Sequence, residues 1–190
     1  MTAGRSSKLH PQLTQLISQL DGTSYLAQRL LSDMVADQMR LRPEHDRWSV
    51  GECLEHLNLF SESLLQSSAP ASRAAREQKL FAPGPYKLDL MDRLVKWMMQ
   101  PAAIVKMRAA DDFHPGLNGP VEDVLPRFLA LQQQLKTQLA NADGLDLNKI
   151  LVSSPFSRRR RYNLYSCYVL LVTHQERHLR QAEQAKREIH

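Results

Sequence analysis

The sequence predicts an all-α protein, a four-helix bundle forming a single domain over residues 1–190, with a long crossover between its second and third helices. Three observations predict it. Apolar residues recur at three- and four-residue spacing in four long segments, the period of an amphipathic helix. No run of alternating β-branched residues asks for a sheet. The one long irregular stretch falls between the second and third helical segments, where it can carry the chain from one end of a bundle to the other.

The first helix is expected over Leu9 to Met39, on Leu13, Leu16, Ile17 and Leu20 and then Leu26, Leu30, Leu31, Met34 and Val35. Asp21-Gly22 interrupts this pattern with a possible kink or split, since an interior Gly costs about 1 kcal/mol against Ala. Pro43 ends it. The second helix opens at Ser49, whose hydroxyl caps the helix while Glu52 reaches back three residues, the capping-box pattern. Its stripe is Cys53, Leu57, Phe60 and Leu64, and it is expected to run to about Gln66, with Ser67-Ser68-Ala69-Pro70 leading out of it. Residues 71–119 are broken by Pro83-Gly84-Pro85, Pro101 and His114-Pro115-Gly116. They hold one expected helix, between Tyr86 and Gln100, on Leu90, Leu94, Val95, Trp97 and Met98. The third helix follows Pro120, with Glu122 and Asp123 in the first turn where the helix dipole favours negative charge, and reaches Leu139. Residues 150–157 read as a connection, and the run Arg158 to Arg161 precedes a fourth helix over about Asn163 to Lys186.

Bulk properties exclude several classes. A hydrophobic content of 43% and a charged content of 24% match an ordinary globular chain, which excludes disordered and fibrous types. The longest apolar run, Cys167 to Val172, is far short of the ~20 residues that span a bilayer, so no membrane role is expected. Met1 to His10 lacks an apolar signal-peptide region, and the two cysteines sit in expected helices, which together read as a cytoplasmic chain with reduced thiols. The formal charge of +5 suits anionic small molecules better than nucleic acid, which would want a broad basic face with interleaved aromatics.

The residues with usable chemistry are histidines. His174 and His178 are four apart on one helix, so their Cβ atoms lie about 5–6 Å apart on one face and two imidazoles can reach one ion. A catalytic site of the zinc type commonly takes a third protein ligand and leaves a position open. His56 is the candidate, being mid-helix at the edge of the apolar stripe, whereas His45 and His114 sit beside proline and His10 and His190 near the termini. Glu52, one turn before His56, is a candidate fourth ligand, or an acceptor for a ligand imidazole, or a helix cap and nothing more. The same histidines also fit a plainer role as hydrogen-bonded or solvated helix residues. Arg158, Arg159, Arg160 and Arg161 fit an anion site that grips the carboxylates of a thiol cofactor or substrate, and equally a solvated loop. Cys53 lies on the apolar stripe and reads as a buried structural thiol. No Gly-x-Ser-x-Gly elbow, phosphate loop or Cys-x-x-Cys pair supplies another nucleophile.

Two stretches carry a resemblance. Trp48-Ser49-Val50-Gly51-Glu52-Cys53-Leu54-Glu55-His56-Leu57 resembles the helix-two signature of the DinB/YfiT-like metal-binding four-helix bundles, and His174-Gln175-Glu176-Arg177-His178-Leu179-Arg180-Gln181 resembles their helix-four signature. The resemblance implies an up-down-down-up bundle and a divalent metal, zinc or nickel first and iron or manganese next, held by His56, His174 and His178. It also implies a metal-dependent enzyme, either an S-transferase using a low-molecular-weight thiol or a hydrolase, that acts on a small molecule and often forms a homodimer. A bundle that uses the metal structurally, or binds a small ligand without turnover, is the alternative.

Overall fold

Each expected helical segment finds a helix in the computed structural model, which describes residues 9–99, 113–117, 119–154 and 157–189. The chain is mostly helical. In order come α1 (Pro11–Leu31), α2 (Ala36–Arg40), α3 (Val50–Glu77), α4 (Leu90–Met99), a 3-10 turn (Val121–Asp123) running into α5 (Val124–Asn141), strands β1 (Leu151–Ser154) and β2 (Ser157–Asn163), and α6 (Leu164–Glu188). No described helix is long and apolar enough to cross a membrane.

Boundaries follow local chemistry. Ser49 caps α3 as expected: its hydroxyl accepts from the Glu52 N–H at 3.2 Å, and its own N–H donates to the Glu52 carboxylate at 2.8 Å. Asn163 does the same for α6, accepting from Ser166 N–H at 2.7 Å. Pro11 starts α1, where its missing N–H is not needed.

Four expectations are corrected. The helix of Leu9 to Met39 is not split at Asp21-Gly22 but continues through it as one element, with Leu20 and Thr23 buried on either side. It breaks after Leu31 instead, where Val35 adopts an extended backbone and the Gln38 side chain accepts its N–H, turning α2 so that Met39 is buried. Helix α3 does not stop at Gln66 but continues through Pro70 to Glu77. Gln66, whose carbonyl Pro70 leaves without its helical donor, is exposed, as is Pro70, and Ala75 beyond it is buried. Finally, residues 151–163 are not a bare connection but an antiparallel ribbon, in which Val152 pairs with Tyr162. Both of those side chains are buried, and their burial against the bundle pins a hairpin that arginine-rich composition hides. Pro155 and Phe156 lie outside the described residues, as does Gln100 at the expected end of α4.

The long helices pack as α1 against α5 and α6, and α3 against α5 and α6, with α4 laid on α6. Their apolar faces form two clusters. One gathers Leu13, Leu16 and Leu20 of α1 with Leu64, Leu135 and Tyr168, and the other gathers Ala27, Leu54, Leu57, Phe128 and Leu179. Between them lies a polar layer with one side chain from each long helix. Gln175 accepts from the Gln132 amide at 2.8 Å and from the Thr23 hydroxyl at 3.0 Å, and its own amide donates to Ser61 at 3.4 Å. All four residues are at most 1% exposed. Buried polar groups of this kind are tolerated only when paired, and pairing across four helices fixes their axial register.

Candidate metal centre

The histidines lie beside this layer, on the faces where α3 meets α6. Helical spacing places His174 and His178 on one face of α6, and α3, packed against it, presents His56. The three ring centroids stand 4.9, 4.5 and 4.5 Å apart. One ligand nitrogen from each lies within 4.8 Å of the other two. His56 and His174 are 2% and 6% exposed, and His178 keeps a partly exposed edge.

A carbonyl orients the first histidine. His56 Nδ1 is 2.6 Å from the Phe113 backbone oxygen. That oxygen can only accept, so Nδ1 carries the proton and Nε2 presents its lone pair inward. There it faces His174 Nε2 at 3.1 Å. Two nitrogens bound to one zinc at about 2.0–2.1 Å stand about 2.8–3.4 Å apart at octahedral to tetrahedral angles. The separation therefore matches two nitrogens aimed at one ion, and also matches a hydrogen bond from a protonated His174 Nε2.

The surroundings favour neutral rings. Burial lowers the pKa of His56 to about 4, the Phe113 carbonyl opposing this slightly and His114 adding to it. Burial lowers His178 to about 3, with His56 and Arg177 adding like charge, and it lowers His174 well below the ordinary histidine value. Unprotonated imidazole is the form that binds metal. The donor set, three nitrogens with no carboxylate or thiolate, fits a borderline divalent ion.

Aromatic rings wall the group. Trp48 stacks on His178 with centroids 5.5 Å apart and lies 4.8 Å from His56, while Phe60 lies 4.1 Å from His174. His114 stands beyond Trp48 at 5.9 Å and is exposed. Trp48 falls within the quoted helix-two stretch, and Phe60 is four residues after His56, so helical spacing could have flagged both. Phe113 has no sequence signal, because it acts through its backbone oxygen.

Other candidates go elsewhere. Glu52 is not brought into the group: its carboxylate is held by Arg42 and by the Ser49 N–H, so it serves the helix cap. The Arg42 guanidinium and Ser49 hold its carboxyl below the usual range against the opposing effect of burial. Arg160 is paired with Asp89 and Asp92 at 2.7 and 2.9 Å, and Arg161 donates to the Leu151 carbonyl. The side chains of Arg158 and Arg159 lie outside the described residues. The run sits on β2, ahead of Leu164, which is ten residues before His174 and so about 15 Å away along α6. Burial pushes the Cys53 thiol up, in keeping with an inert core residue.

A helical protein built on long packed helices with three converging histidines is the class that fold and site define. The family model described as DinB superfamily matches residues 19–182, and the chain belongs to that superfamily. No curated protein and no solved structure matches it.

Proposed function

We propose that the chain is a divalent-metal-dependent enzyme that activates a low-molecular-weight thiol for S-transfer. The observation that carries this reading is the convergence of His56, His174 and His178 within 4.8 Å, with rings kept neutral by burial. A divalent ion held by three neutral imidazoles keeps its full charge and open positions, so it supplies a Lewis acid that lowers the pKa of a thiol, or of water in a hydrolase. The protein does the rest. Phe113 fixes the His56 tautomer, Trp48 and Phe60 exclude water, and Arg177 adds positive charge that favours an anionic thiolate. Zinc or nickel suits the donor set best, with iron or manganese next.

The same proposal takes the bundle as up-down-down-up. Contacts along the helices support it: Gln12 with Tyr165 and Lys186 with Leu30 run α1 and α6 together, whereas Arg47 with Glu188 and Phe60 with His174 run α3 against α6. A cytoplasmic homodimer belongs to it too. The exposed Leu90, Leu94 and Trp97 of α4 offer a face that a second copy would cover.

The test is turnover. Zinc- or nickel-loaded protein is assayed with bacillithiol-, mycothiol- and glutathione-type thiols against an alkyl halide, and with ester and amide substrates. Metal-dependent S-transfer that is lost in His174→Ala is expected. Hydrolysis alone would move the chemistry from thiol to water. A specific observation favours one alternative: His56 and His174 are enclosed by Trp48, Phe60 and Phe113. That enclosure suits a structural ion, and stoichiometric metal with no turnover on any substrate would establish it.

A further inference from the structure

A groove lies on the opposite face of α6. Glu176 follows His174 by two residues, which is about 200° around a helix, so its side chain leaves the metal centre behind. It lines a groove of about 310 Å³ between α1, α4 and α6, in the size range of small-molecule sites. The floor is apolar, with Leu16 of α1 and Val169 of α6. The walls are polar and come from three helices: Lys96 from α4, Glu176 from α6, and Gln15 and Gln19 one turn apart on α1.

Among the described residues these polar groups lack internal partners. Lys96 and Glu176 are each partly buried, yet among the described residues neither forms an ion pair with the other or with any third group. Gln15 and Gln19 make no side-chain hydrogen bond there either. Elsewhere the fold pairs its interhelical charges, as in Arg127 with Glu55 and Glu62 or Lys136 with Asp21. Partly buried charge without a partner is unfavourable, and it is relieved by a ligand that brings the complementary charges.

We infer that this groove binds a small zwitterion, a free amino acid or a dipeptide. Its carboxylate meets Lys96, its ammonium meets Glu176, the two glutamine amides hydrogen-bond its remaining polar atoms, and its aliphatic part rests on Leu16 and Val169. The site is independent of the metal and of the thiol chemistry proposed above.

The test is isothermal titration calorimetry on the full chain in EDTA, with the twenty L-amino acids and glycylglycine. Every ligand that binds is then repeated as its N-acetyl and its methyl-ester form. At least one free zwitterion should bind with a dissociation constant below about 1 mM, and blocking either end should weaken it about tenfold or more, the size of one charge-assisted hydrogen bond. Lys96→Met and Glu176→Gln should each do the same, while His174→Ala should leave binding unchanged. Should either groove variant misfold by circular dichroism, the blocked ligands on the unaltered chain decide. Absence of binding by every free zwitterion overturns the inference. So does binding that ignores both blocked ends, or binding that requires metal.

Discussion

Single atoms decide the candidate metal centre. His56 is ordered by one carbonyl, and His174 and His178 by one helical turn, so removing any of the three rings leaves two ligands for the ion. Metal bound only to the folded state adds about 2.7 kcal/mol when free metal is 100 times Kd. For a chain of this size that raises Tm by about 5–10 °C. Calorimetric melting with added zinc at pH 7.5 should show this rise in the unaltered protein and in His45→Ala, an exposed loop residue, and lose most of it in His174→Ala. The metal-free protein should also be acid-sensitive in a defined window. Burial holds His56 down to about 4 and His178 to about 3 in the folded chain, against about 6.5 when unfolded, so below 6.5 the unfolded chain binds more protons. Stability is complete above about pH 6.5 and falls by about 1.4 kcal/mol per histidine for each pH step of one toward 4. Urea unfolding that is unchanged between pH 7 and 5 would contradict this. Gly51 answers to backbone contact: a Cβ there would stand 2.9 Å from the Met39 carbonyl oxygen and 2.8 Å from Val121 Cγ2. Gly51→Ala should therefore cost about 1–3 kcal/mol in urea unfolding, although Ala is the better helix former.

Helices and their breaks belong to the next scale. Pro70 sits exposed inside α3, where it removes one backbone hydrogen bond at a cost of about 3 kcal/mol in a helix interior. Pro70→Ala should raise stability by about 1–3 kcal/mol, because little packing is lost. A drop in Tm would show that Pro70 has a role beyond the helix. The polar layer should respond in the other sense. Gln175→Leu removes the acceptor and donor shared with Gln132, while Thr23 keeps the Leu20 carbonyl and the Gln132 amide, and should destabilise by about 1–3 kcal/mol in all.

Much of this scale was legible in the sequence. The three-and-four spacing located every long helix, Ser49 and Glu52 fixed the start of α3, and the His174–His178 interval with the resemblance located the three histidines that converge. What escaped depends on tertiary contact. Pro70 looks like a stop until Ala75 is seen to have a partner, and the arginine run looks like a loop until Tyr162 is seen to bury opposite Val152. Glu52 and His56 share a helix face in projection, yet Arg42 draws the carboxylate away. Gln132 and Gln175 give no signal at all, since a polar residue on an apolar face is informative only once three others are known to meet it.

At the scale of the whole chain, two apolar clusters joined through a polar layer hold the helices that carry the three histidines, so the candidate site is as rigid as the layer is well paired. The exposed apolar face of α4 should draw two copies together, and light scattering at micromolar concentration should give twice the 21.8 kDa of one chain. Leu94→Glu with Trp97→Glu should return it to one chain. The central claim is that His56, His174 and His178 together hold one divalent ion. Its most direct test is zinc and nickel titration by calorimetry, paired with elemental analysis after dialysis, on the unaltered chain and on the triple His56→Ala, His174→Ala, His178→Ala variant. The account predicts about one ion per chain in the first and none retained by the second while its helical circular dichroism persists. An ion bound with unchanged affinity and stoichiometry by the folded triple variant would contradict it.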